Sequence, residues 1–149
     1  MPRQPPVDLQ PYFLTLDDLE GEIDWREFFG NGNPVEIDVG CGRGMFLVNA
    51  GTAHPEINYL GIEIEYKEGR RGARRLQKRE LSNVRVLGGD VRILFDKYVK
   101  PASVAAVHVY FPDPWWKRRH RRRRASNDEL LARRERVPLH AGLVPPSPD

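Results

Sequence analysis

Apolar positions along this chain fall into short runs separated by breakers, and the runs alternate between two kinds. Val35–Val39 is a brief apolar run closed by glycine, which predicts a buried strand. Tyr59–Ile64, Val84–Leu87 and the strongly apolar Val104–Phe111 read the same way. Between them lie segments with helix composition: Met45–Ala53, the long basic stretch Tyr66–Glu80, and Val91–Tyr98 with Leu94 and Phe95 turned inward. Strands that alternate with helical segments predict right-handed crossovers and a parallel sheet. The expected fold class is therefore a doubly wound α/β domain.

The flanks break this rhythm. The first ten residues read as a loose arm, and Leu14, Leu16 and Leu19 begin an ordered lead-in. Asp24 is a fitting N-cap for a short helix through Trp25, Phe28 and Phe29, which the cluster Gly30-Asn31-Gly32-Asn33-Pro34 ends. After Arg124 the alternation stops. Ser126–Arg136 has the makings of one polar helix, with Ser126 as cap and Glu129 in the capping-box position. Pro138 then breaks the chain, and the proline-rich remainder has no strand signal. Three parts result: an arm and lead-in helix over 1–33, an incomplete α/β domain over 34–124, and an atypical, poorly ordered tail over 125–149. With four strands read, the sheet is expected to be truncated after the fourth. A shortened or frame-shifted coding sequence would account for that, and would leave the fourth strand as an apolar edge.

Length and composition narrow the field. At 149 residues the chain is at most one domain, and 40% apolar residues suffice for a core. No apolar stretch approaches the roughly 18–20 residues of a membrane span. The first ten residues have no apolar segment of the kind a signal peptide needs. The single cysteine, Cys41, excludes an internal disulfide and fits a reducing compartment, with the cytoplasm as default. Net charge is only +3, yet it is unevenly spread. Acids crowd Asp17, Asp18, Glu20, Glu22, Asp24 and Glu27, while bases crowd Lys67–Arg79 and Lys117–Arg124. Such patches suit a polyanion partner, and they equally suit solvated helix faces.

Candidate chemistry begins where the first strand runs into Gly40-Cys41-Gly42-Arg43-Gly44. Alternate glycines allow a tight turn and leave no Cβ where a ligand must approach. An ordinary βα turn would look similar. The spacing is G-x-G-x-G, which differs from the G-x-G-x-x-G of dinucleotide sites, and Asp38 stands two residues ahead of the first glycine. A pyrophosphate is disfavoured beside that acid, whereas S-adenosylmethionine carries an ammonium and a sulfonium. Glu63 and Asp90 stand near the ends of the next two strands. Each could hold part of such a ligand, Glu63 at ribose hydroxyls and Asp90 at an adenine amino group; Asp90 is also a good N-cap for the helix at Val91.

The fourth strand leads into Phe111-Pro112-Asp113-Pro114-Trp115-Trp116-Lys117-Arg118-Arg119-His120. Two prolines stiffen the backbone around Asp113. Aromatics next to cations suit a purine on a polyanion, although either tryptophan could equally be core. The run Phe111–Trp115 followed by Lys117 resembles the signature of the tRNA (guanine-N7)-methyltransferases. The glycine turn at Asp38–Gly44, Gly61-Ile62-Glu63, and Asn83–Leu87 ahead of Asp90 match that family in order and spacing, and the similarity covers roughly residues 12–124.

The resemblance implies a Rossmann-like methyltransferase domain that takes S-adenosylmethionine and methylates N7 of a variable-loop guanosine in tRNA. It implies that Asp38, Gly40, Gly42, Glu63 and Asp90 hold the donor and that Asp113 borders both donor and base. Lys117, with Arg118 and Trp115, would meet the substrate. Guanine N7 is an unprotonated acceptor, so no strong general base is required. A carboxylate such as Asp113 could stabilise the positive charge that develops on the purine, making it the candidate catalytic residue. The basic helix fits an RNA partner, because Lys67, Arg71, Arg75 and Arg79 recur every four residues beside Arg70, Arg74 and Lys78, so that both series are expected on one broad helix face. The alternative is a truncated relative that binds tRNA or the donor without turnover. A small-molecule or protein methyltransferase stands further off.

Overall fold

The computed structural model describes residues 7–109. Among these residues five strands form one sheet: β1 (Phe13–Thr15), β2 (Val35–Val39), β3 (Asn58–Glu63), β4 (Val84–Gly88) and β5 (Ala106–Val109). Their spatial order is β1-β4-β3-β2-β5, and every pairing is parallel. The helices are α1 (Trp25–Phe29), α2 (Met45–Ala53), α3 (Tyr66–Lys78) and α4 (Val91–Ile93), the last continuing as a π-helical turn over Leu94–Tyr98. Within the described residues, the four strands and the helices read from the sequence are present; the polar helix expected over Ser126–Arg136 and the tail over 125–149 lie outside them. Boundaries shift by one or two residues, and the helix expected over Val91–Tyr98 changes type halfway.

The fifth strand, β1, comes from the segment read as an arm and lead-in. Its three residues pair with Val86, Leu87 and Gly88 of β4. A strand this short carries no visible period of its own. It is held by burial of its flanks: Leu9 and Phe13 are packed against Val84, Val86, Ala73 and Leu76. The carbonyl of Tyr12 accepts from the Val86 amide at 2.8 Å, which joins the segment to the sheet by main-chain bonding. The segment from Leu9 onward is therefore part of the domain core. Leu16–Asp18 then forms a 3-10 turn, with Thr15 and Asp18 capping each other's backbone. The expected Asp24 cap is present, its carboxylate accepting from the Glu27 amide at 3.2 Å. Gly30 ends α1 in the left-handed region.

Alternation along the strands divides the core between the two sheet faces. Val35, Ile37, Leu60, Ile62 and Leu87 pack with Phe29, Leu94, Phe95 and Val107 on one side. Tyr59, Val84 and Val86 pack with Leu47, Ala73 and Leu76 of α2 and α3 on the other. One polar side chain fastens the second layer. Asn83 is buried, and its amide nitrogen lies within hydrogen-bonding distance of the carbonyls of Gly51, His54 and Ile57, at 3.2, 3.2 and 2.9 Å. It thus closes the end of α2 and its link to β3. No helix among the described residues is long and apolar enough to cross a membrane.

Replacing Asn83 with alanine leaves those carbonyls buried without their donor. The expected cost is about 1–3 kcal/mol in urea unfolding with the native circular dichroism retained. A loss below about 0.5 kcal/mol would show that the link does not depend on this side chain.

Candidate functional site

The strand order reverses beside β2. From β2 the chain moves outward through β3 to β4, and β5 then returns to β2's other side. In open α/β sheets a crevice for ligands opens at such a reversal, beyond the carboxyl ends of the strands. The turn Gly40–Gly44 leaves β2 at that point. Gly40, Gly42 and Gly44 all have positive φ, at 70°, 55° and 79°. A Cβ on Gly40 or Gly42 would meet nothing within 4 Å, so the turn faces open space.

The turn is held from below by β3. The Gly40 and Cys41 amides donate to the Ile62 carbonyl at 2.8 and 3.3 Å. One oxygen of Glu63 accepts from the Gly42 amide at 2.8 Å, and the other accepts from the Glu65 amide at 2.9 Å. From the side, α3 makes backbone contact. A Cβ placed on Gly72 would lie 3.0 Å from the Arg43 carbonyl carbon, and one on Gly44 would lie 3.3 Å from the Gly72 Cα. Two glycines therefore let the helix and the turn touch main chain to main chain.

Asp38 lies beneath this turn on β2 and is only 3% exposed. Burial, and then repulsion from Glu63, push its carboxyl from 3.8 up to about 7. Burial and the same two acids also raise the Cys41 thiol well above its ordinary value. On β5, His108 stands opposite Asp38, and its Nε2 lies 2.6 Å from the Glu36 carboxylate. That bond ties β5 to β2. Gly89 donates to the Glu63 carbonyl at 3.0 Å, which brings the end of β4 to the same edge. Asp90 there caps α4, accepting from the Arg92 amide at 2.8 Å.

The structure thus brings Asp38, Gly40, Gly42, Glu63 and Asp90 to one edge of the sheet. Of the two roles open to Asp90, the helix cap is present. Asp113, Trp115, Lys117 and Arg118 lie outside the described residues. Sequence reasoning passed over Gly72, whose signal was a glycine inside an otherwise strong helix, where it costs about 1 kcal/mol against alanine. It also passed over the Glu36–His108 pair, because nothing in the spacing reveals that residues so far apart lie on neighbouring strands.

A raised acid pKa has a definite consequence. Asp38 holds its proton more tightly folded than unfolded, so its contribution is fully present below pH about 4 and is lost as pH rises through about 7. An Asp38→Asn variant removes that dependence. Its stability relative to the parent is expected to climb between pH 4 and 8, by up to roughly 4 kcal/mol. Denaturant melts across this range would refute the assignment if the two curves stayed parallel.

The family described as putative methyltransferase matches residues 32–145. A tRNA (guanine-N(7)-)-methyltransferase from Rhodopirellula baltica is 45% identical over 118 residues, 76% of this chain and 44% of that protein. One of the same name from Syntrophotalea carbinolica is 40% identical over 107 residues, 72% of this chain and 46% of that protein. The chain spans about half the length of the curated relatives it matches. Among solved structures, PKMT2 from Rickettsia typhi in complex with AdoHcy aligns with a TM-score of 0.56 at 19% identity, over 78% of this chain and 22% of that one. An RNA methyltransferase from Salinibacter ruber in complex with S-adenosyl-L-homocysteine aligns at 0.51 and 18% identity, over 70% of this chain and 58% of that one. These two likenesses bear on the fold. With the family match covering most of its length, the chain belongs to the putative methyltransferase family.

Proposed function

We propose that this chain carries the donor-binding part of a tRNA (guanine-N7)-methyltransferase, with S-adenosylmethionine as methyl donor. The observation that carries the reading is the buried carboxylate of Asp38, placed beside Glu63 under a glycine turn that opens to solvent. Two acids at this point repel a pyrophosphate and favour a cationic ligand. A ligand ammonium near Asp38 would offset the repulsion from Glu63 and draw the Asp38 carboxyl down into its ionised form. The residues present therefore fit the proposed donor.

When bound, the donor supplies an electrophilic methyl group on a sulfonium. The chain's own residues do the positioning. Gly40 and Gly42 keep the surface above the turn free of side chains. Glu63 holds the turn through the Gly42 amide and remains available to ribose hydroxyls at its outer edge. Asp90, fixed by its cap to α4, stands at the β4 end. Asp113 follows the last residue of β5 by four positions in the sequence. In this reading it orients the guanine edge and stabilises the positive charge that develops there, while Trp115, Lys117 and Arg118 hold the nucleotide. The guanine-N7 substrate rests on the Phe111–Trp115 run with Lys117, and on relatives whose names specify that reaction.

The test is methyl transfer from labelled S-adenosylmethionine to an unmodified tRNA transcript, with the product mapped by cleavage specific to 7-methylguanosine. Labelling at one guanosine, abolished by Asp113→Ala, is expected. A folded chain that labels tRNA at some other atom would refute the guanine-N7 assignment. Donor binding is tested separately by calorimetry with S-adenosylhomocysteine. Glu63→Gln should weaken it about 10- to 100-fold, because the variant loses a charged acceptor. Undiminished affinity would remove Glu63 from the site.

A further inference from the structure

Beside the donor turn lies a second feature that the reading above leaves unused. A cleft of about 270 Å³ is lined by Arg43 from the glycine turn and by Arg71, Arg74, Arg75 and Lys78 from α3. The four helical residues are spaced three, one and three apart, so they share one face of α3. They extend over about 10 Å at 1.5 Å per residue, farther than the span of a single phosphate group. The row is long enough to meet more than one phosphate.

The cation series read from the sequence does not act as one face. Arg70 turns away, donating to the Val7 carbonyl at 3.1 Å and lying 5.6 Å from the Phe13 ring centre. It binds the chain's own N-terminal segment. Within the cleft the pattern differs. Glu68 places one oxygen 2.9 Å from Arg43 Nε and the other 3.3 Å from Arg71 Nη1. Two guanidiniums thus already converge on the paired oxygens of an oxyanion. Arg74 and Lys78 have no carboxylate partner among the described residues. Among the described residues Arg75 has only the weak acceptor Met45 Sδ, at 2.9 Å.

We propose that this cleft seats the phosphodiester backbone of the RNA substrate. The proposal rests on the RNA-methyltransferase reading and deepens it by naming the surface that meets the strand. Four of the five cations are arginines, whose planar forks match phosphate oxygens better than a point charge does. Like charges three and four residues apart oppose one another in the free helix, and a polyanion relieves that repulsion. The main-chain contact between Gly72 and Arg43 makes the cation row and the donor turn one piece. A strand seated in the cleft is therefore held in fixed register to the turn.

The experiment is fluorescence polarisation of a labelled, unmodified tRNA transcript across a salt series. It compares the parent chain, the triple variant R71Q/R74Q/K78Q, and the control K97Q/K100Q, whose exposed cations lie after α4. Calorimetry with S-adenosylhomocysteine and thermal melts run beside it. The triple variant should lose at least about 30-fold in affinity at low salt, and its salt slope should flatten by about 0.7–0.9 per lost contact. The control should stay within about twofold, and S-adenosylhomocysteine binding should not change. If the triple variant unfolds, Arg74→Gln alone replaces it, with an expected loss of about three- to fivefold. A folded variant with parental affinity and slope overturns the cleft while leaving the methyltransferase reading in place. A parent chain that binds no tRNA overturns both. Competition by inorganic phosphate beyond that of chloride at equal ionic strength would make this a free-anion site. Competition by polyglutamate as strong as by RNA would make it a site for acidic protein. Either outcome overturns the proposal.

Discussion

The carboxylate of Glu63 is the pin on which the site turns. One oxygen holds the Gly42 amide and the other holds the Glu65 amide. The first bond fixes the turn after β2; the second fixes the entry to α3. Without it the glycines would be free to take many backbone conformations, because nothing packs above Gly40 or Gly42. The opening over the turn and the looseness that opening invites have the same cause. A charge-assisted bond from the neighbouring strand resolves the conflict without filling the space.

That solution has an electrostatic cost. Glu63 stands close enough to Asp38 to help push its carboxyl up to about 7, although burial is the larger cause. A core selected for stability alone would not keep a desolvated carboxylate at the end of a central strand beside a second acid. The surrounding sheet absorbs the penalty: Val35 and Ile37 on one face, and Leu47 and Tyr59 on the other, are all nearly inaccessible to solvent. The unfavourable charge pair persists because the strands that carry it are over-determined by packing.

Legibility in the sequence followed the range of the physics involved. β2, β3, β4 and α3 were readable because short apolar runs between breakers and basic residues recurring every four positions are local signals. The glycine turn and the acids at the strand ends were readable because their positions follow once the strands are placed. β1 was not, since three residues have too little period and depend on contacts of Leu9 and Phe13 with the distant Val84, Val86 and Leu76. The Glu36–His108 pair escaped for a similar reason, as it needs the β2–β5 register. The basic helix was readable as a cluster of charge, but which cations face outward was not. Arg70 is drawn to the N-terminal segment by the Val7 carbonyl, a partner 63 residues away.

Helix α3 joins these considerations. Gly69 and Gly72, with Ala73 and Leu76, make its inner face narrow enough for the helix to lie on Phe13, on β4 and on the glycine turn. Two glycines cost about 1 kcal/mol each in helix propensity, and the arginines on the outer face repel one another at three- and four-residue spacing. Neither feature favours the helix by itself. Both are accounted for by position: the notched face brings the helix axis against the turn, and the charged face then stands beside that turn and not remote from it. A bulkier residue at position 72 would meet the Arg43 main chain and displace the whole cation row together with the turn. The geometry of the turn and the placement of the positive charge are therefore set by one contact, so a change at that contact moves both.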